Sequence, residues 1–133
     1  MNQAEEFLES HPEVAAILDE IPKEGVIAVI LFGSHATKKA GPLSDIDLCI
    51  VGDRAFTEHQ KNELLSFGSR IIELSLFWDL PLTIRFRIIR DGIILYCESP
   101  ELLRRITVDT VRDYLDVEPL IRKHSLAVIR TRG

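Results

Sequence analysis

Two aspartates, Asp45 and Asp47, stand two residues apart at the start of an apolar run that ends at Val51. Side chains two apart on a β-strand point to the same face, so a strand here would bring both carboxylates together. Two such carboxylates repel each other unless a cation lies between them. Hard oxygen ligands on a rigid strand suit Mg²⁺, which keeps several waters and is completed by substrate phosphates. We therefore predict a magnesium site at Asp45 and Asp47 that works with a phosphate-bearing substrate.

A Gly-Ser pair, Gly33-Ser34, ends a continuous apolar run over residues 26–32 and precedes the aspartates by ten residues. Glycine lets the backbone approach a phosphate closely, while the serine hydroxyl and nearby N–H groups can donate to its oxygens. The pair is therefore predicted to hold the phosphates of a nucleotide beside the metal.

Three polar residues between the Gly-Ser pair and the aspartates are further candidates for nucleotide binding. Lys38 and Lys39 are candidate phosphate contacts, with a solvated loop as the alternative. Ser44 is also a candidate, and its alternative is a local hydrogen bond at the strand entrance.

A third carboxylate, Glu73, is the only charge in the middle of the apolar run over residues 70–77. In a strand, the apolar residues on either side of it would share one face and Glu73 would lie on the other. A third acid can complete a metal site or accept the proton of an incoming hydroxyl. The alternative is a surface carboxylate on an edge strand. The chemistry predicted for the three acids is in-line attack of a hydroxyl on phosphorus.

These residues must be positioned by strands and helices that alternate along the chain. The hydrophobic pattern predicts strands over 26–32, 45–51, 70–77 and 93–97, and helices over 12–21, 57–67, 81–90 and 100 to about 115. Capping boxes at Ser10–Glu13 and Thr57–Gln60 favour the first two helices.

Residues 81–90 alternate like a strand as well as matching a helix face. Asp79 and Pro81 before this stretch, with Gly92 after it, favour the helix. Pro119 predicts an interruption before a last amphipathic segment.

The composition describes one globular domain with its own core. The chain has 133 residues, 46% apolar and 28% charged, with a formal net charge of −5. This length excludes a multidomain polymerase. The acidic balance does not favour nucleic acid as a partner. Cys49 and Cys97 lie in apolar runs and are predicted to be reduced core thiols.

The first twenty residues lack the pattern of a secretory signal, and no segment reaches the roughly twenty apolar residues of a membrane span. We therefore expect a cytoplasmic protein without membrane contact. The sequence leaves self-association open.

The motif Gly33-Ser34, ten residues and then Asp45-Ile46-Asp47-Leu48 resembles that of the minimal nucleotidyltransferases (MNT) of the polymerase β superfamily. The triplet Ile72-Glu73-Leu74 and the segment Trp78–Tyr96 are also similar to this family. The resemblance covers residues 26–97 well and the C-terminal helices loosely.

This resemblance implies an α+β (α/β) fold, in which a small mixed β-sheet has helices on one side. It implies a single nucleotidyltransferase domain over residues 1–133, with a core over about 26–97 and C-terminal helices over about 100–132. Asp45, Asp47 and Glu73 would be the catalytic and metal-binding acids. The residues expected to bind the nucleotide are Gly33, Ser34, Lys38, Lys39 and Ser44.

Family members without extra domains are often the antitoxins of HEPN/MNT toxin–antitoxin pairs. In the characterised type, the antitoxin transfers AMP from ATP to a tyrosine of its HEPN ribonuclease partner. The segment Asp113–His124 resembles the C-terminal helix of such proteins. The resemblance thus implies a Mg²⁺-dependent adenylyltransferase with ATP as donor and a HEPN toxin as partner.

Two departures from the family pattern keep alternatives open. The family often has arginine and glycine soon after Gly-Ser, where this chain has His35, Thr37 and two lysines, and its third acid is usually aspartate. One alternative is therefore a non-catalytic antitoxin or nucleotide-binding module that neutralises a partner by contact. A second is nucleotidyl transfer to a small molecule, although related enzymes with that activity usually carry an additional domain.

Overall fold

The computed structural model describes residues 2–41 and 43–132, with side chains as far as His124. Met1, Pro42 and Gly133 lie outside the described residues. Within these ranges the chain forms, in order, α1 (Gln3–Ser10), α2 (Pro12–Glu20), β1 (Val26–Phe32), β2 (Ile46–Gly52), α3 (Glu58–Leu65), β3 (Ile72–Leu76), α4 (Leu82–Asp91), β4 (Ile93–Cys97) and α5 (Pro100–Arg132). Short 3₁₀ turns follow β1 and β3.

The four strands form a mixed sheet in the order β3-β2-β1-β4. β1 is antiparallel to both β2 and β4, whereas β2 and β3 are parallel and are connected by α3. A parallel pair needs such a crossover because the chain must return to the same end of the sheet. The predicted mixed sheet with packed helices is confirmed.

Helices cover both faces of the sheet, so the expectation of helices on one side is wrong. On one face the sheet packs against α1, α2 and α3, with a core that includes Val14, Leu18, Val29, Leu31, Leu48 and Leu64. On the other it packs against α4 and α5, with a core that includes Ala28, Ile30, Cys49, Val51, Ile88 and Leu103. The physical reason is that successive residues of β1 and β2 are nearly all apolar, so both faces of these central strands need cover.

The start of the chain differs from the sequence prediction. Residues 3–10 form α1, which the hydrophobic pattern did not predict. Ser10 is the last residue of this helix, so the expected capping box at Ser10–Glu13 does not form. His11 precedes α2 instead, and Pro12 occupies its first turn, where a missing N–H costs nothing. The capping box of Thr57 and Gln60 at α3 is confirmed.

α5 continues through Pro119, so the predicted interruption there is wrong. The proline removes one backbone hydrogen bond, while an ion pair between Glu118 and Arg122 spans the position. At 33 residues the helix is about 50 Å long. It packs against α4 through Phe86 and Tyr114, whose rings stack at 3.8 Å between centroids.

Both cysteines are free, with Cys49 buried and Cys97 half-buried. Burial raises the pKa of the Cys49 thiol well above its usual range, so it stays protonated in the core. Among the helices in the described ranges, none has the length and apolar character to cross a membrane.

Candidate active site

The Gly-Ser turn begins where β1 ends, and its geometry requires glycine. Gly33 has a φ of +76°, in the left-handed region that L side chains rarely adopt. A β-carbon on Gly33 would lie 2.5 Å from Oδ2 of Asp47, closer than any real contact. The glycine therefore lets the turn lie directly against the carboxylate of Asp47.

Backbone hydrogen bonds hold this turn in a compact shape. The carbonyl of Gly33 accepts from the N–H groups of Ala36 at 3.1 Å and Thr37 at 3.2 Å. The carbonyl of Ser34 accepts from the N–H of Lys39 at 2.9 Å. With its carbonyls engaged inside the loop, the turn presents N–H groups and the Ser34 hydroxyl as donors for an anion.

Asp47 and Glu73 lie directly opposite each other on the parallel strands β2 and β3. Asp47 is half-buried and Glu73 is exposed at the edge of the sheet. Burial raises the pKa of Asp47, the carboxylates of Glu73 and Asp45 raise it further, and the charge of His35 partly offsets them. Three negative groups are thus concentrated beside the turn.

Asp45 immediately precedes β2 and is exposed. Its effect on the pKa of Asp47 places it near that carboxylate, as their spacing predicts. Among the described side chains, those of residues 2–41 and 43–124, no group of three histidine, cysteine or acidic residues could hold a metal ion by itself. The oxygen donors and the uncompensated charge fit Mg²⁺, and substrate phosphates would have to complete its coordination.

Ser44 and His35 connect the two halves of the loop before β2. Nε2 of His35 lies 3.2 Å from the carbonyl oxygen of Ser44. The Ser44 hydroxyl accepts a hydrogen bond from the N–H of Gly41 at 2.9 Å. This local bond is the alternative considered for Ser44, and its contact with a nucleotide stays a prediction.

The two predicted lysines do not lie together. Lys38 has a φ of 60° and lines a cavity of about 320 Å³ beside α1, together with Glu6 and His11. Lys39 lies toward the end of α4, where a hydrogen bond from Arg90 and the charges of Arg87 and Lys39 lower the pKa of Asp91.

Sequence reasoning missed the contribution of α4 to the site. A cavity of about 310 Å³ lies between the turn and α4 and is lined by Phe32, Gly33, Thr37, Ile84, Arg87, Ile88 and Asp91. The four α4 residues among them stand at positions i, i+3, i+4 and i+7 and therefore share one face of that helix. This spacing is visible in the sequence, but nothing in it shows which face of the predicted helix lies toward the Gly-Ser turn.

A larger cavity lies at the other end of the sheet. It has a volume of about 710 Å³ and is lined by residues that include Val26, at the start of β1, and Gly52, at the end of β2. Arg54 and Trp78 both line this cavity, and the Arg54 guanidinium lies 3.7 Å from the centre of the Trp78 ring. Since the acids and the Gly-Ser turn lie at the opposite ends of β1 and β2, this cavity is separate from the candidate active site.

A mixed sheet with a Gly-Ser turn against adjacent carboxylates is the arrangement of a protein that transfers nucleotidyl groups. Residues 2–101 match the sequence model of the family described as "Polymerase beta, Nucleotidyltransferase". This match spans more than half of the chain, so the protein belongs to the polymerase beta nucleotidyltransferase family.

Similar proteins extend this comparison. A protein of Methanocaldococcus jannaschii, provisionally named a protein adenylyltransferase, is 28% identical over 108 residues, which are 80% of this chain and 84% of the relative. A crystal structure of a toxin–antitoxin with AMP-PNP matches with a TM-score of 0.71 at 19% identity, covering 89% of this chain and 97% of that one. A structure of a tri-AMPylated Shewanella oneidensis HEPN toxin in complex with MNT antitoxin matches with a TM-score of 0.65 at 17% identity, covering 89% and 94%. At these identities the structural matches show the shared fold.

Proposed function

We propose that this protein is an antitoxin that transfers AMP from ATP to a hydroxyl of a HEPN-type toxin, in a Mg²⁺-dependent reaction. The observation that carries the proposal is the register of Asp47 with Glu73, directly beside the turn at Gly33. The name of the M. jannaschii relative and the toxin–antitoxin structures support the choice of AMP and of the partner. We place the protein in the cytoplasm, where ATP and reduced thiols are available.

The proposed roles follow from the positions of the side chains. Asp45 and Asp47 would hold Mg²⁺, and the bound ion would neutralise part of the negative charge of the phosphates. Gly33 and Ser34 bind the phosphates through the N–H groups and hydroxyl of the turn. Glu73 is exposed at the sheet edge, so it accepts the proton of an acceptor hydroxyl that approaches from solvent.

Exposed apolar side chains on α5 support a protein as the acceptor. Val108 is 47% exposed, Leu115 is 62% exposed and Leu120 is 66% exposed, all on a helix longer than the sheet requires. Exposed apolar patches of this kind mark surfaces that bind other proteins, because covering them removes apolar area from water. A protein that docks on α5 could present its hydroxyl to the acids.

The experiment is incubation of the purified protein with labelled ATP and Mg²⁺, with and without the HEPN-type protein encoded beside it, followed by intact mass of both chains. We expect one or more AMP units on the partner. The double variant Asp45→Asn and Asp47→Asn should form the same complex and add no AMP. Transfer that survives in this variant would remove the two aspartates from the mechanism and refute the proposal.

A second candidate function is neutralisation of the toxin by contact alone. The exposed apolar side chains of α5 favour it, because they provide a docking surface that does not depend on the acids. This candidate predicts that the double asparagine variant still neutralises the toxin in cells. If that variant forms the complex but no longer neutralises the toxin, contact alone is insufficient.

A further inference from the structure

The candidate active site concentrates negative charge at the place where a triphosphate would bind. Three carboxylates lie beside the Gly-Ser turn, and a triphosphate adds several more charges. Further negative charge develops on the leaving pyrophosphate as the reaction proceeds. The Mg²⁺ proposed at Asp45 and Asp47 would offset part of this charge, and cationic side chains that reach the turn from other elements would offset more.

Lys38 and Lys39 lie on different sides of the loop. The side chain of Lys38 lines the cavity beside α1, where Glu6 is a neighbouring acid. The backbone of Lys39 is held against the turn by its 2.9 Å hydrogen bond to the carbonyl of Ser34. Neither lysine lines the cavity between the Gly-Ser turn and α4.

Arg87 reaches the turn from α4. It lines the 310 Å³ cavity together with Gly33 and Thr37, so the arginine and the Gly-Ser turn face the same cavity, and Arg87 is exposed there. The remaining walls include the apolar side chains of Phe32, Ile84 and Ile88. An exposed guanidinium can reach a phosphate there, and its planar set of N–H donors matches phosphate oxygens in a bidentate geometry.

Asp91, the acid that lines the same cavity, is paired with Arg90. Arg90 donates to both carboxylate oxygens of Asp91, with Nε at 3.0 Å and an Nη at 2.8 Å. Among the ion pairs of the described residues, none involves Arg87. The arrangement thus keeps Asp91 from repelling a phosphate and leaves Arg87 available for one.

We propose that Arg87 binds the β- and γ-phosphates of the donor nucleotide in the cavity between the Gly-Ser turn and α4. This inference rests on the proposed function and adds a specific phosphate-binding residue that lies outside the turn. Arg87 would touch the substrate directly, because it lines the cavity that Gly33 opens into.

The reaction also assigns Arg87 a role in catalysis. The acceptor oxygen forms a bond to the α-phosphorus, and its proton passes to Glu73. The bond between the α-phosphorus and the oxygen that bridges to the β-phosphorus breaks, and pyrophosphate leaves with that electron pair. Because charge grows on this leaving group, a guanidinium beside it stabilises the transition state more than the ground state.

The test compares Arg87→Gln with wild type in equilibrium binding of ATP, AMP and inorganic tripolyphosphate. We expect the variant to bind ATP and tripolyphosphate about tenfold more weakly, while its AMP affinity changes by less than about twofold, because AMP lacks the contacted phosphates. Arg87→Lys should recover part of the loss. Arg112→Gln, an exposed change on α5, is the matched control and should match wild type. Melting temperatures confirm that each variant is folded.

The outcomes separate this inference from the proposed function. If wild type binds ATP and transfers AMP while Arg87→Gln behaves like wild type, the inference is overturned and the proposed function stands. An equal loss of ATP and AMP affinity also overturns the inference, because it places Arg87 against the nucleoside or the α-phosphate. If wild type binds neither ATP nor tripolyphosphate, both are overturned.

Discussion

Replacing Asp47 by asparagine should make the metal-free protein more stable, although it removes a residue that the proposed reaction needs. Asp47 is half-buried directly opposite Glu73, and both burial and the neighbouring acids raise its pKa. Asparagine has almost the same shape and no charge. The substitution therefore removes repulsion and desolvation while keeping the packing against Gly33.

The size of the effect follows from the geometry of adjacent strands. Directly opposite side chains lie about 5 Å apart, where two unit charges repel by about 1 kcal/mol in water and about 3 kcal/mol at an effective dielectric constant of 20. Because Glu73 is exposed, solvent screening favours the lower value. We expect Asp47→Asn to raise the free energy of unfolding by about 1 kcal/mol, which is roughly 3–5 °C in Tm for a domain of this size.

The pH dependence gives an independent check of the sign. A carboxyl whose pKa is higher in the folded than in the unfolded state contributes stability when protonated and loses it as the pH rises. Wild type should therefore lose stability as the pH rises from the ordinary value of 3.8 through the raised pKa of Asp47. Asp47→Asn should show a smaller decrease over the same interval.

The assay is thermal and urea unfolding of both proteins without divalent cations, from about pH 4 to pH 8. Asp109→Asn, which removes an exposed acid on α5, controls for the change in net charge. An Asp47→Asn variant that is no more stable than wild type at pH 7, or no more stable than the Asp109→Asn control, would refute the reasoning about repulsion at the site.

Two further substitutions test the turn and the long helix. Gly33→Ala should lower the free energy of unfolding by about 1–3 kcal/mol and weaken ATP binding, because the new β-carbon meets the carboxylate of Asp47 at a positive φ. Urea unfolding measures the change in stability. Unchanged stability would contradict the 2.5 Å contact. Phe86→Ala should lower the free energy of unfolding by about 2 kcal/mol and increase hydrogen exchange in α5, because it removes the ring stacked on Tyr114. Unchanged exchange would show that this stack does not hold α5 against α4.

Much of the central sheet could be predicted because its strands carry strong local signals. The run over residues 26–32 is continuous and rich in β-branched side chains, and β1 has the same bounds. Asp45 and Asp47 are close in sequence, so their proximity needs only a local strand. The helix α4, observed over residues 82–91, was predicted over 81–90 because Pro81 and Gly92 flank it.

The remaining features depend on contacts between distant segments. The hydrophobic pattern did not predict α1, whose residues are mostly polar or half-buried and which packs beside α2 and β4. Pro119 is a strong local signal for a break, but α5 accommodates it. Arg87 joins the site only because α4 folds back over the end of β1, and no pattern within α4 specifies that position.

The position of β3 has a consequence for how the protein could lose activity. β3 is a five-residue strand at the edge of the sheet, paired in the described structure with β2. Edge strands open at lower free energy than the central strands of the same sheet. A brief detachment of β3 would carry Glu73 away while Asp47 stays on a strand with neighbours on both sides. Because Ile72, Leu74 and Leu76 of β3 are buried, the same event would open one side of the core, so the assembled set of acids depends on the packing of this edge strand.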